Sequence, residues 1–307
     1  MNDLGHEHDR YEYRTCQTDA IDDTLHYPVL FSHLYVGMIW ILLIVFVIVW
    51  TLTLLIRGKR PKPSYDYKCF LLTLPESTKR RQTFFEYHNK DIPIEVVYGV
   101  NTKNIKIARE YETIVDEEYF EKAVEMHYDP SVNRPDITYF NLGAIGAFVG
   151  HVNIMKKCIE KNLKYALIFE DNVVVKNDSF YKEVQEVIDT KGGDFEMCFF
   201  HCLSRKPVEI NGKLEKVCWI SSMKCYLINV ENMKKYIKYY FPIDNHVDNK
   251  TEDLIANGAR VYYKDLRNCI EIDRSGPSTI GHSDHGMKDY FSRQNPSLTP
   301  NDVLFGY

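Results

Sequence analysis

Apolar residues fall along this chain in three rhythms. Over residues 35–56, "YVGMIWILLIVFVIVWTLTLLI", there is no charged side chain. At a rise of ~1.5 Å per residue, a helix of that length is about as long as a bilayer core is thick. Trp40 and Trp50 stand toward its ends, where amphipathic rings favour the membrane interface. A buried core helix seldom stays apolar on every face for so long. A cleaved signal peptide would start earlier, behind a basic region and ahead of small residues. The pattern predicts one retained membrane span, preceded by a short polar segment (1–34) and followed by a basic, Pro-containing linker (57–66).

Beyond the linker the rhythm shortens. "YKCFLLTL" (67–74) and "IPIEVVYGV" (92–100) are apolar runs of strand length, separated by "PESTKRRQTFFEYHNK", whose Pro75 suits a first helical turn. The third rhythm is helical. In "NLGAIGAFVGHVNIMKKCIEKNLK", Ile145, Phe148, Val152, Met155 and Ile159 form one stripe, and Lys156, Lys157, Glu160 and Lys161 take the opposite face. The run "YALIF" follows at once. Strand, helix, strand is the opening of an α/β sheet, and it predicts one α/β domain over residues 67–307.

One break in this pattern carries chemistry. In "YALIFEDNVVV" (165–175) an apolar run is interrupted by Glu170, Asp171 and Asn172. In open α/β sheets ligands bind beyond the carboxyl ends of strands, and the triplet falls where "YALIF" should leave the core. Burying two unpaired carboxylates would cost several kcal/mol, so a neighbouring cation is the economical way to keep them there. Mg²⁺ and Mn²⁺ take oxygen ligands, usually one or two carboxylates plus substrate phosphates, which suits a nucleoside diphosphate. Capping of the next segment, or pairing with a basic side chain, are the structural alternatives. The glycines Gly143, Gly146 and Gly150 allow close backbone approach, but no Gly-Lys-Ser/Thr follows, so this is not a phosphate loop.

Composition narrows the classes. The 307 residues are 45% hydrophobic and 26% charged, which excludes a disordered tail. A net charge of -5, from 38 basic against 43 acidic residues, gives no basic excess to draw the chain to nucleic acid. Residues 15–34 hold no Lys or Arg, whereas Arg57, Lys59, Arg60, Lys62 and Lys68 follow the span. The positive-inside rule therefore places the large domain in the cytoplasm. The sequons at Asn177 and Asn249 point instead to a lumenal domain if they are used. Eight cysteines show neither a CxxC pair nor zinc-finger spacing, and read as buried free thiols.

The block "LGAIGAFVGHVNIMKKCIEKNLKYALIFEDNVVV" resembles the central motif of glycosyltransferase family 25, the lipopolysaccharide-type glycosyltransferases and collagen galactosyltransferases. The matching positions are Gly143, Gly146, His151, Tyr165, Glu170, Asp171 and Val173. "CFLLTLPESTKRRQ", "MKCYLINVENMKKYIKYYFPIDNHV" and "RSGPSTIG" resemble its flanking elements in order, so the likeness covers about residues 67–285.

The resemblance implies a GT-A-like, Rossmann-type sheet that binds a nucleotide sugar, often with Mn²⁺, and transfers the sugar with inversion. A UDP-sugar carrying galactose or glucose would be the donor, and a glycan, lipid-linked or protein hydroxyl the acceptor. On this reading Glu170 serves the ribose or diphosphate, and Asp171 with Asn172 serves the metal. Arg80 and Arg81 contact the donor or form a solvated helix face. Asp244, in "FPIDNHVD", is the candidate base for the acceptor hydroxyl or a helix cap. His282, Asp284 and His285 could complete a metal site or belong to an exposed tail. His151 is a donor-site residue or a hydrogen-bonded structural histidine.

This chain also departs from the family pattern. Asn172 replaces a usual Asp, Thr73 a usual Asn, Tyr98-Gly99 the usual Asp-Gly, and Gly150-His151 the usual Ser-His. Asn brings a carbonyl without charge, so a catalytically silent relative that binds a sugar or partner is the competing expectation. A metal-dependent hydrolase is the third.

Overall fold

The computed structural model describes residues 28–57, 64–129 and 140–273. Most of the expected N-terminal segment and linker lie outside these residues, as do His282, Asp284 and His285. The chain divides into two compact units, Met1–Pro61 and Lys62–Tyr307.

The first unit holds helix α1 (Pro28–Arg57). Its stretch Tyr35–Thr53 is long and apolar enough to cross a membrane, and every side chain on it is exposed. Without charges on any face, nothing in this stretch distinguishes a core side from a water side.

The second unit is a mixed α/β domain. Its strands are β1 (Tyr67–Thr73), β2 (Ile94–Tyr98), β3 (Tyr165–Glu170), β4 (Val173–Val175), β5 (Met197–Phe199), β6 (Ser204–Asn211), β7 (Leu214–Ser221), β8 (Cys225–Asn229), β9 (Val261–Lys264) and β10 (Ile270–Ile272). Eight of them form one sheet in the order β2-β1-β3-β8-β5-β9-β7-β6, and β4 pairs with β10 apart from it. The neighbours β1–β2, β1–β3 and β5–β9 run parallel, and β8 lies antiparallel to both β3 and β5. Parallel β1 and β2 are connected through α2 (Thr78–Tyr87), the crossover expected from the alternating pattern.

The route from β2 to β3 is longer. It passes α3 (Ile105–Ala108), a 3-10 turn, α4 (Glu117–Tyr128) and α5 (Leu142–Glu160). Helix α6 (Ser179–Lys191) follows β4, and α7 (Val230–Met233) and α8 (Lys250–Ala256) follow β8.

Helices cover both faces of the sheet, so strand residues alternate between two cores. Phe70, Leu72, Ala166, Ile168, Tyr226 and Ile228 pack with Phe148, Val152 and Met155 of α5 on one face. Cys69, Leu71, Leu167, Phe169 and Leu227 pack with Phe84 of α2 and Phe180, Tyr181 and Val184 of α6 on the other. Burial on both faces is why β1 and β3 read as continuous apolar runs rather than alternating ones. Helix α5 is buried more widely than the single stripe expected, with Ile154, Cys158 and His151 also inside, because α4 and α7 pack on it as well as β1 and β2.

Candidate functional site

The break in "YALIFEDNVVV" is a turn between two sheets. β3 ends at Glu170, and Val173–Val175 leaves to pair antiparallel with β10, almost a hundred residues downstream. Asn172 holds that exit, its carbonyl accepting from the Asp273 N–H at 2.7 Å.

Alternation decides where the two carboxylates point. Ala166 and Ile168 face the α5 core, and Glu170 continues on that side. There its Oε1 lies 3.5 Å from Nε2 of His151, which α5 carries. The Oε2 atom lies 2.6 Å from Nζ of Lys224, the residue just before β8. His151 is 1% exposed; with Nε2–H turned to Glu170, its Nδ1 accepts from the Tyr226 hydroxyl at 2.9 Å. Burial raises the Glu170 pKa, but Lys224 and His151 outweigh it and hold the carboxyl well below the usual range. Glu170 is a fixed anion.

Asp171 sits one residue on, toward β1 and α2. Its Oδ2 accepts from the buried Thr73 hydroxyl at 2.7 Å, and its Oδ1 lies 3.6 Å from Nη1 of Arg80. Here burial wins: the pKa of Asp171 is raised, with Thr73 and Arg80 opposing and Glu170 reinforcing the shift. Adjacent carboxylates are thus driven apart in acidity by their surroundings, an arrangement that recurs in catalytic sites.

Both carboxylates line a cleft at the carboxyl ends of β1, β2 and β3. Its other walls are Thr73, the Gly99–Thr102 turn after β2, and Gly143, Gly146 and His151 of α5. The close packing is built on glycine: a Cβ at Gly146 would collide with the Val100 carbonyl and stand 2.5 Å from Thr102 Oγ1. The Thr102 hydroxyl in turn donates to the Leu142 carbonyl, and Asn141 caps α5 through the Ala144 N–H at 3.0 Å. The first turn of α5, the positive end of its dipole, therefore opens on the cleft. Arg80 and Lys103 add charge at this edge, and Lys103 has its pKa lowered, by burial first and then by repulsion from Arg80. The cavity measures about 60 Å³, against roughly 300–1,000 Å³ for small-molecule pockets, so it is too small to enclose a small-molecule ligand whole.

The candidates read from the sequence part company here. Glu170, Asp171, His151 and Arg80 converge. Arg81 does not: its guanidinium donates to the Leu74 carbonyl at 3.1 Å and stacks on the Tyr98 ring, tying the β1–α2 loop to the end of β2. Asn172 is buried, yet its side chain does not line the cleft, and its Oδ1 has no hydrogen-bond partner among the described residues.

Asp244 lines a second cavity of about 380 Å³, with Asp116, Glu118, Asn249 and Asp253 among its walls. Its Oδ1 is 2.7 Å from Nζ of the buried Lys250, and the two cavities share no lining residue. The structure does not bring Asp244 together with the carboxylate pair. Sequence reading missed Lys224, Tyr226 and the role of Thr73, which become visible only through the register Phe169↔Cys225 between β3 and β8 and Thr73↔Tyr98 between β1 and β2.

A divalent ion does not fit this donor set well. Both oxygens of Glu170 face Nζ or Nε2 partners, Oδ2 of Asp171 is bonded to Thr73, and Asn172 is not among the residues that line the cleft. Among the described residues, no three His, Cys, Asp or Glu side chains gather closely enough to hold an ion.

The family model described as glycosyltransferase family 25 (LPS biosynthesis protein) matches residues 66–251, from β1 into α8. The chain belongs to glycosyltransferase family 25. The matched region contains every residue of the cleft, so this is a glycosyltransferase-type domain. A search of curated proteins finds no match.

Solved structures resemble the family domain distantly. UTP-bound UGPase from Acinetobacter baumannii aligns at 10% identity and a TM-score of 0.38, over 76% of this chain and 95% of that one. Mouse xyloside xylosyltransferase 1 aligns at 8% identity and 0.37, over 65% and 84%. A197 from STIV aligns at 10% and 0.36, over 65% and 81%. At these values the likenesses carry no argument about function.

Proposed function

We propose that this chain is an active, membrane-anchored hexosyltransferase. It moves a sugar from a nucleoside-diphosphate donor, a UDP-sugar in the first instance, to a hydroxyl on a glycan, lipid-linked or protein acceptor. Family membership supports the reaction class. The observation that carries the site assignment is the paired network at the strand ends, Thr73–Asp171–Arg80 beside His151–Glu170–Lys224.

On this reading the GT-A-like half of the sheet, β2-β1-β3, carries the nucleotide along its carboxyl edge. The diphosphate lies near Arg80, Lys103 and the first turn of α5, whose charges favour an anion. Glu170, permanently ionised, accepts hydrogen bonds from the ribose or sugar hydroxyls. As the bond from the anomeric carbon to the diphosphate breaks, negative charge grows on the leaving oxygen, and preorganised cations stabilise it. Asp171, whose proton is held more tightly than usual, lies beside that charge and keeps Arg80 aimed. Transfer with inversion would require a base on the acceptor side, and Asp244 reaches only the second cavity. Helix α1 would hold the domain at a bilayer, on the cytoplasmic side by the basic residues that follow it.

The competing reading, a catalytically silent relative, draws on Asn172 and the other departures from the family pattern, and activity is what separates the two. The test is to incubate the purified full chain in detergent with UDP-galactose, UDP-glucose and other donors, and to measure nucleotide release with and without sugar acceptors. Release that Asp171→Asn abolishes while the fold persists is the expected result. No release from any donor would leave a binding role, and release indifferent to every acceptor would indicate a hydrolase.

A further inference from the structure

Each oxygen of Glu170 and Asp171 has a protein hydrogen-bond or ion-pair partner within 3.6 Å, and two of those partners are full cations. Lys224 Nζ stands 2.6 Å from Glu170 Oε2, and Arg80 Nη1 stands 3.6 Å from Asp171 Oδ1. Their side chains are 23% and 15% exposed, so each is held against a cleft carboxylate yet still reaches solvent. An ammonium has three N–H donors, and Glu170 takes one of those on Lys224. The charges also balance. Glu170 and Asp171 bring two negatives, and Lys224 and Arg80 bring two positives, the same compensation a divalent ion would supply.

The placement of Lys224 is specific. It precedes β8, its carbonyl accepts from the Glu170 N–H at 2.8 Å, and its side chain extends on the α5 side beside the strand end. Tyr226, two residues on and so on the same face, fixes His151 against the other Glu170 oxygen. Glu170 is thereby clamped from both sides, and it holds the Lys224 ammonium in one position.

Resting on the donor-site reading above, we infer that Lys224 is a donor-binding residue and that, together with Arg80, it takes the place of a divalent ion toward the diphosphate. Donor binding and transfer then proceed without added metal. In the transfer step the acceptor oxygen forms a bond to the anomeric carbon as the bond from that carbon to the diphosphate oxygen breaks. The electron pair leaves with the diphosphate, whose charge Lys224 and Arg80 meet, and the acceptor proton passes to water. His151, and Glu170 in addition to its contact with the donor hydroxyls, position Lys224.

The experiment measures UDP binding to the purified full chain by calorimetry, in excess EDTA and again with Mn²⁺. Equal affinity under the two conditions is expected for the unmodified chain. Lys224→Met should weaken binding in EDTA by about 10- to 100-fold, the worth of a charged hydrogen bond, and Lys224→Arg should restore most of it.

Binding that appears only with Mn²⁺ overturns the inference and leaves the donor-site reading standing. Absence of UDP binding under both conditions defeats the donor-site reading itself. Unchanged affinity in a folded Lys224→Met chain also overturns the inference. If Lys224→Met does not fold, the EDTA comparison on the unmodified chain still decides between a protein cation and a metal.

Discussion

Replacing Gly146 by alanine tests the construction of the cleft. In an exposed helix this change would stabilise by up to about 1 kcal/mol, because glycine gives the chain more freedom to lose. At position 146 the new methyl meets the Val100 carbonyl and Thr102 Oγ1. Neither can rotate away: the first is backbone, and the second is held in a hydrogen bond to the Leu142 carbonyl by a threonine only 1% exposed.

Relief requires the turn after β2 to move off α5, an overpacking strain of about 3 kcal/mol at the upper end of the usual range. The net expected loss is about 2 kcal/mol. With an m value of about 3 kcal/mol/M, the urea midpoint should fall by roughly 0.7 M. Far-UV circular dichroism of the full chain during urea titration reads that midpoint. Because Val100, Asn101 and Thr102 line the cleft, donor affinity should fall with it. An unchanged or higher midpoint would refute the close approach of α5 to this turn, and with it the shape of the site.

Further expectations follow from individual contacts. Tyr226→Phe removes the hydroxyl bonded to a buried histidine nitrogen and should cost about 1–3 kcal/mol, read as a lower urea midpoint, while also weakening UDP binding through the loosened Glu170. Arg80→Met should lower donor affinity with little change in stability, and Arg81→Met should do the reverse, since Arg81 holds the loop after β1; calorimetry beside thermal melting separates the two.

His88 is buried, with Nε2 on the Ile92 carbonyl at 2.9 Å and Nδ1 receiving the Tyr181 hydroxyl at 2.7 Å, and burial lowers its pKa. The folded state therefore prefers the neutral ring. Its contribution is complete above the unfolded value near 6.5 and is lost as pH falls through it, by up to about 1.4 kcal/mol per pH unit. Melting curves between pH 8 and pH 5 should show this slope flattened in His88→Gln. Glu170, whose pKa is depressed, contributes stability that is present above about pH 4.5 and lost on further acidification, and Glu170→Gln should remove that portion of the acid transition.

How far the chain itself discloses this arrangement depends on the range of the interaction. The apolar length of α1, the strand β3 and the amphipathic α5 are local patterns, and local periodicity reveals them. Glu170 and Asp171 were legible because two acids ending a buried run violate the pattern around them. Arg80 and Arg81 looked alike, since adjacent helical residues differ only in azimuth, and which one faces the sheet edge depends on how α2 seats on β3. Lys224 and Tyr226 carried no signal at all, because their meaning comes from the antiparallel register of β8 on β3, over fifty residues away. The Val173–Val175 run resumes the apolar character of β3, and only pairing with β10 shows that it joins a different sheet. Likewise "NVENMKKYIKYY" carries no break that separates the short α7 from the 3-10 turn Ile237–Tyr240, which packs on α5. Asp244 shared a motif with the family without sharing a cavity with the carboxylates.

The most direct test of the account is sugar transfer by the full chain. Incubated with a UDP-sugar and a mixture of glycan acceptors, it should release UDP in step with the appearance of extended product, and Asp171→Asn should stop both while the melting curve still shows a folded domain. UDP release and product formation that survive intact in Asp171→Asn would contradict the claim that chemistry takes place at the end of β3.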